Sequence, residues 1–203
     1  MEDARSASEL GVEAIGLNFY PNSRRHVTVE RAAKIIQETD CSEVQWVGVF
    51  VNEPPEDLVK VSNQVGLDLI QLHGDESVGI LEHIGMPVIR AVRVSDPVSA
   101  QREIDQWTSA GAAAILLDAA SSGSFGGSGT VIDWRMASAF SCQVPLILAG
   151  GLTPSNVSEA IEVVRPAAVD VASGVESAPG LKDLELMREF LSKASFELGK
   201  NRL

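Results

Sequence analysis

Apolar runs rich in β-branched residues alternate along the chain with stretches whose apolar positions recur every three or four residues. The runs are AIGLNFY (14–20), VQWVGVFV (44–51), LDLIQLHG (67–74), PVIRAVRV (87–94), AAAILLDA (112–119), PLILAGG (145–151) and AAVDVASGV (167–175). Their continuous apolar character predicts seven strands covered on both faces, and strict alternation with helical stretches predicts parallel strands joined by crossovers. Among the helical stretches, TVERAAKIIQE has Thr28 as its N-cap and PPEDLVKVSNQVG is closed by Gly66. TPSNVSEAIEVVR carries Pro154 near its first turn, LKDLELMREFLSKASFEL reads as a long amphipathic helix, and MEDARSASELGVE leads as a helix into the first strand. No linker or low-complexity tract interrupts the pattern, so residues 1–203 read as a single α/β domain.

A barrel and a doubly wound sheet both fit this alternation. The placement of unusual residues favours the barrel. Polar and glycine-rich segments follow the strands, in FYPNSRRH, VFVNEPP, LHGDES, LLDAASSGSFGGSG, AGGLTPSN and ASGVESAPG, while the connections entering strands are short and plain. That asymmetry is the mark of the catalytic, C-terminal face of a TIM (β/α)8 barrel. Eight units need one strand more than the seven seen here, and it belongs upstream of the first helix.

Charge and cysteine content narrow the chemistry. A net charge of −12 excludes a general polyanion or nucleic-acid surface, so an anionic ligand has to be held locally. No apolar run is long enough to span a bilayer and the start is not that of a secretory signal, which predicts a cytoplasmic protein without membrane attachment. Cys41 and Cys142 form neither a disulfide framework nor a zinc site, and no metal is expected.

Two strand ends point to a ligand. Gly150 and Gly151 in LAGGLTPSN, and Ser173 and Gly174 in VASGVES, lie where backbone N–H groups can approach an anion, although glycines there also serve simple tight turns. Barrel phosphate sites are built from the loops after the seventh and eighth strands, which these become once the upstream strand is counted first. Asp118 ends an apolar run and opens the Ser/Gly loop; it reads as a catalytic carboxylate or as a helix-capping, loop-organising one. Asp170, in mid-run, reads as a hydrogen-bonded interior residue. His73 either lines the pocket or is a satisfied structural histidine. Trp46, Trp107 and Trp134 read as core or rim packing.

The segments GLNFYPNSRRHV, VGVFVNEPPE, LIQLHGDE, LLDAASSGSFGGSGTVIDW, LAGGLTPSNVSEAI and RPAAVDVASGVESAPGLKD, in this order, resemble the phosphoribosylanthranilate isomerase family from about residue 2 to 196. The resemblance implies an Amadori rearrangement, the third step from chorismate in tryptophan biosynthesis. It converts N-(5′-phosphoribosyl)anthranilate to 1-(2-carboxyphenylamino)-1-deoxyribulose 5-phosphate, with no metal or organic cofactor. It further implies a small-molecule phosphoribosyl substrate as the only ligand and a monomer or homodimer as the working form.

By the same resemblance Asp118 is the general acid, Arg25 meets the anthranilate carboxylate, and Gly127, Ser128 and Gly129 supply donors near the phosphate. Arg24 is then a solvated neighbour. The family's general base is a cysteine in a Lys-x-Cys-Gly-Ile-Thr motif that precedes the EDA helix, where this sequence begins. Cys41 and Cys142 fall between a helix and the next strand, at the end of a barrel opposite its catalytic face. The expectation is therefore a barrel without its first strand and base, impaired as written. A non-catalytic phosphosugar-binding barrel and a split-protein fragment are the alternatives.

Overall fold

The computed structural model describes residues 2–39, 43–119 and 133–201. The chain divides into two compact units, 1–89 and 90–203. The first holds helix α1 (Glu2–Glu9), strand β1 (Ala14–Asn18), α2 (Val29–Thr39), β2 (Gln45–Phe50), α3 (Pro55–Val65) and β3 (Leu69–Leu72), followed by a 3-10 turn at Val78–His83. Strand β4 (Val88–Val94) starts in this unit and continues into the second. The second unit adds α4 (Pro97–Ala110), β5 (Ala114–Ala119), α5 (Trp134–Ala137), β6 (Leu146–Leu148), α6 (Val157–Val164) and β7 (Ala168–Val169). After β7 come a 3-10 turn at Ser173–Val175, a hairpin of β8 (Glu176–Ala178) and β9 (Leu181–Lys182), and α7 (Leu184–Asn201).

In the first unit β1 and β2 pair in parallel, with Leu17 opposite Gly48, and β2 pairs with β3, with Val49 opposite Gln71. In the second, β5, β6 and β7 are parallel neighbours, with Leu117 opposite Leu148 and Leu148 opposite Val169. The seven predicted strands are therefore present, and their apolar runs are explained by burial. Ile70 and Leu72 of β3, and Ile115 and Leu117 of β5, are fully buried. A buried aliphatic side chain of this size contributes about 1.5–3 kcal/mol. Trp46 and Trp107 lie in the core, as expected, and Trp134 is half-buried.

Helix ends follow local chemistry. The hydroxyl of Thr28 accepts the Arg31 N–H at 3.2 Å, and Gly66 closes α3 in the left-handed conformation. The helix predicted around Pro154 starts later. Residues 154–156 form a turn, because the Asn156 carboxamide turns back to accept the Thr153 N–H at 2.8 Å, and α6 begins only at Val157. The last helix also starts later than predicted, since Leu181 and Lys182 pair with β8 and Asp183 caps α7 by accepting the Glu185 and Leu186 N–H groups.

Arg90 shows how a charge is kept inside the second unit. Its guanidinium donates through Nε and Nη2 to Glu103 Oε1 of α4, at 2.8 Å each, and lies 4.8 Å from the Trp107 ring centroid. Replacing Glu103 by Ala removes a charge-assisted pair, and chemical denaturation should report a loss of roughly 1.5–3 kcal/mol. An unchanged midpoint would mean that the pair contributes nothing to the strand–helix contact.

Candidate active site

Asp118 sits one residue before the end of β5 and is 6% exposed. The chain leaves the neighbouring strand β6 through Gly150 and Gly151, at φ 81° and 67°, and this turn ends the strand at Leu148, short of the predicted 151. The Asn156 carboxamide donates to the Gly151 carbonyl at 3.0 Å and closes the loop. Strand β7 is likewise shorter than the predicted 167–175. Asp170 lies just beyond it and is exposed, its N–H donating to the Leu148 carbonyl at 2.9 Å, so it is not the interior, mid-strand residue expected. After Ala172 the backbone turns into Ser173–Val175.

A Cβ built on Gly174 would overlap the Leu152 carbonyl oxygen and lie 3.1 Å from the Thr153 Cα. Only a glycine lets these two backbone segments touch. The loop after β6 and the turn after β7 are thus in direct contact; β6 is the neighbour of the strand that carries Asp118, and β7 is the next strand beyond it. Sequence reasoning brought Asp118, Gly150, Gly151, Ser173 and Gly174 to one edge, and the second unit does so. Gly127, Ser128 and Gly129 lie outside the described residues.

The turn after β7 has a support that the sequence reading missed. Lys182 of β9 donates from Nζ to the Ala172 carbonyl at 2.7 Å and to Glu176 Oε1 at 3.2 Å. Cys142 precedes β6, at the end where that strand begins, whereas Asp118 lies where β5 ends. It is not placed to share chemistry with Asp118. Cys41 lies outside the described residues.

In the first unit Asn18, the last residue of β1, organises the segment that carries Arg25. Its carboxamide accepts the Tyr20 N–H at 2.9 Å and donates to Ser23 Oγ at 3.3 Å, and Ser23 Oγ accepts the Arg25 N–H at 3.1 Å. Arg25 is half-buried and Arg24 exposed. His73, just past β3, is buried, its Nδ1 3.1 Å from Gln71 Nε2. Glu76 accepts the N–H groups of Asn52 at 2.7 Å and Gly74 at 2.9 Å, while Asn52 Oδ1 accepts that of Asp75 at 2.7 Å. Asn18, Asn52 and Glu76 are loop organisers that no reading of the motifs singled out. Their only signal is an amide or acid placed within a few residues of a strand end.

Among the described residues no group of His, Cys, Asp and Glu could hold a metal ion, and no helix is long and apolar enough to cross a membrane.

The chain matches the family model for N-(5′-phosphoribosyl)anthranilate (PRA) isomerase over residues 1–193. It is 47% identical over 194 residues to N-(5′-phosphoribosyl)anthranilate isomerase of Geobacter sulfurreducens, covering 96% of this chain and 93% of the relative. Among solved structures it is similar, at 38% identity and a TM-score of 0.80, to a phosphoribosylanthranilate isomerase in complex with reduced 1-(o-carboxyphenylamino)-1-deoxyribulose 5-phosphate, with 96% of this chain and 93% of that one covered. It is also similar to monomers generated from the dimeric phosphoribosylanthranilate isomerase of Thermotoga maritima, at 38% identity, a TM-score of 0.79 and the same coverage. The fold is α/β, of the (β/α)8-barrel class to which these proteins belong, and the chain is a member of the N-(5′-phosphoribosyl)anthranilate isomerase family.

Proposed function

We propose that the chain catalyses its family's isomerisation with Asp118 as the general acid and the segments after β6 and β7 as the phosphate cradle. The observation that carries this reading is the buried carboxyl of Asp118 at the end of β5, on the same side of the sheet as the exits of the next two strands, β6 and β7, whose backbones meet at Gly174. The reaction is the Amadori step of tryptophan biosynthesis. Asp118 gives a proton to the furanose ring oxygen as the C1′–O4′ bond breaks, and the anthranilate nitrogen lone pair forms the C1′=N bond of a Schiff base. Loss of the C2′ proton to a base then yields an enolamine, which becomes the ketone of the product.

The N–H groups of Gly150, Gly151, Ser173 and Gly174 bind the phosphate in this reading. Those of Ser173 and Gly174 open a 3-10 turn and so have no partner within it. Backbone donors suit a chain of net charge −12, since they hold an anion without adding a cation. Gly127, Ser128 and Gly129 are assigned to the same phosphate by the family resemblance. The enzyme is read as cytoplasmic and as a monomer or homodimer, the latter supported by the dimeric relative.

Incubation of the chain with N-(5′-phosphoribosyl)anthranilate should consume it without added metal and form the aminodeoxyribulose phosphate. Failure both to turn over substrate and to bind product would refute the reading. Arg25, assigned to the anthranilate carboxylate, has its own expected result: Arg25→Ala raises KM by about 10–100-fold, the equivalent of one charge-assisted pair, and changes kcat little. An unchanged KM in steady-state kinetics would remove Arg25 from the substrate.

A further inference from the structure

We infer that Lys182 is a positioning residue for the phosphate cradle: its ammonium group holds the Ala172 carbonyl and thereby aims the N–H of Ser173. This rests on the reading of the segment after β7 as a phosphate site. The carbonyl of Ala172 and the N–H of Ser173 belong to one planar trans peptide, in which the two groups point in opposite directions. Fixing one fixes the other. Lys182 Nζ lies 2.7 Å from the Ala172 oxygen, so the Ser173 N–H is directed away from the hairpin β8–β9 that carries the lysine.

The lysine is itself fixed. Glu176 and Lys182 face each other across β8 and β9, their charged groups are 3.2 Å apart, and their side chains are 5% and 24% exposed. Farther along, the Asp183 N–H donates to the Val175 carbonyl at 2.9 Å, tying the far end of the same turn to the residue that follows β9. The turn is therefore held from behind at both ends, and Gly174 rests on the Leu152 carbonyl between them. A cation on the carbonyl also polarises the peptide, which makes its N–H a better donor to an anion. Lys182 acts on the phosphate through this peptide, without touching it.

The hairpin pair could instead serve only to close the hairpin, and three variants separate the two roles. Glu176→Gln keeps the lysine on Ala172. Lys182→Arg keeps a charged donor. The double variant Lys182→Met with Glu176→Gln removes the donor without leaving a buried carboxylate alone. Each 15N-labelled protein is titrated with inorganic phosphate while the Ser173 and Gly174 amide resonances are followed, and KM, kcat and Tm are measured.

The double variant should bind phosphate about tenfold more weakly and show a similar rise in KM with kcat within about threefold, as for loss of one oriented charge-assisted contact. Glu176→Gln and Lys182→Arg should stay within about threefold of the parent. Parent-like phosphate affinity and KM in the double variant, with the two amides still responding, would overturn the role of Lys182 and leave the phosphate site standing. Equal losses in Glu176→Gln and the double variant would assign the pair to hairpin closure and count against the inference. If saturating phosphate leaves the parent's Ser173 and Gly174 amides unmoved, the phosphate site falls first and the inference with it.

Discussion

Asp118→Asn is expected to lower turnover by roughly 10²–10⁴ while leaving product affinity close to that of the parent. The substitution keeps the shape of a side chain that is 6% exposed at the end of β5, so the surrounding core has no cause to move. It removes the group proposed to give a proton to the ring oxygen. The residues proposed to hold the phosphate and the carboxylate are left in place. Stopped assays on matched parent and variant, with product binding measured in parallel, test both halves. Turnover near that of the parent would strip Asp118 of the acid role; a parallel collapse of binding and Tm would make it a structural carboxylate instead.

Gly174→Ala is expected to raise KM at least tenfold and to cost roughly 1–3 kcal/mol of stability, the range for overpacking a close contact. The Cβ would overlap the Leu152 carbonyl, which is backbone and cannot swing aside as a long side chain can. Relief requires the loop after β6 and the turn after β7 to part, and that separation spreads the N–H groups of Gly150, Gly151 and Ser173. Gly199→Ala is the matched control: it lies in α7 with nothing within 4 Å of its added Cβ, and alanine is favoured there by about 0.8–1 kcal/mol. If Gly174→Ala keeps the parent KM, the two segments do not bind one ligand together.

How far the sequence foretells this molecule depends on whether a feature is local. Strand identity is local in effect: runs such as AILLDA at β5 are apolar because both faces are covered, and all seven runs become strands. Asp118 at a strand exit is legible for the same reason, being the first ionisable residue after an apolar stretch. Strand ends are less so. Strand β6 stops at Leu148 because Gly150 and Gly151 take positive φ, and β7 stops at Val169 because the chain bends before Ser173, although both runs go on in residues that suit a strand. The hairpin of β8 and β9 has five strand residues in all, too few to set up an alternation that could be read. Asp170 was misplaced by the same overextension of β7. Lys182 was invisible because its partners, the Ala172 carbonyl and the Glu176 carboxylate, are brought to it only by that hairpin.

The clamp in the first unit has a consequence for how this sequence can drift. Glu76 reaches back 24 positions to the N–H of Asn52 and also takes that of Gly74, while Asn52 adopts φ 56° and accepts the N–H of Asp75. A Cβ on Gly74 would overlap Asn52 Oδ1 and lie 2.7 Å from Glu76 Oε1. Three residues from two loops are therefore coupled to one another. A side chain on Gly74 displaces the ends of Asn52 and Glu76 and with them their hydrogen bonds, and shortening Glu76 releases the N–H groups of Asn52 and Gly74 together. A substitution at any one of the three therefore changes what the other two can accommodate, which couples positions that lie 24 residues apart in the chain.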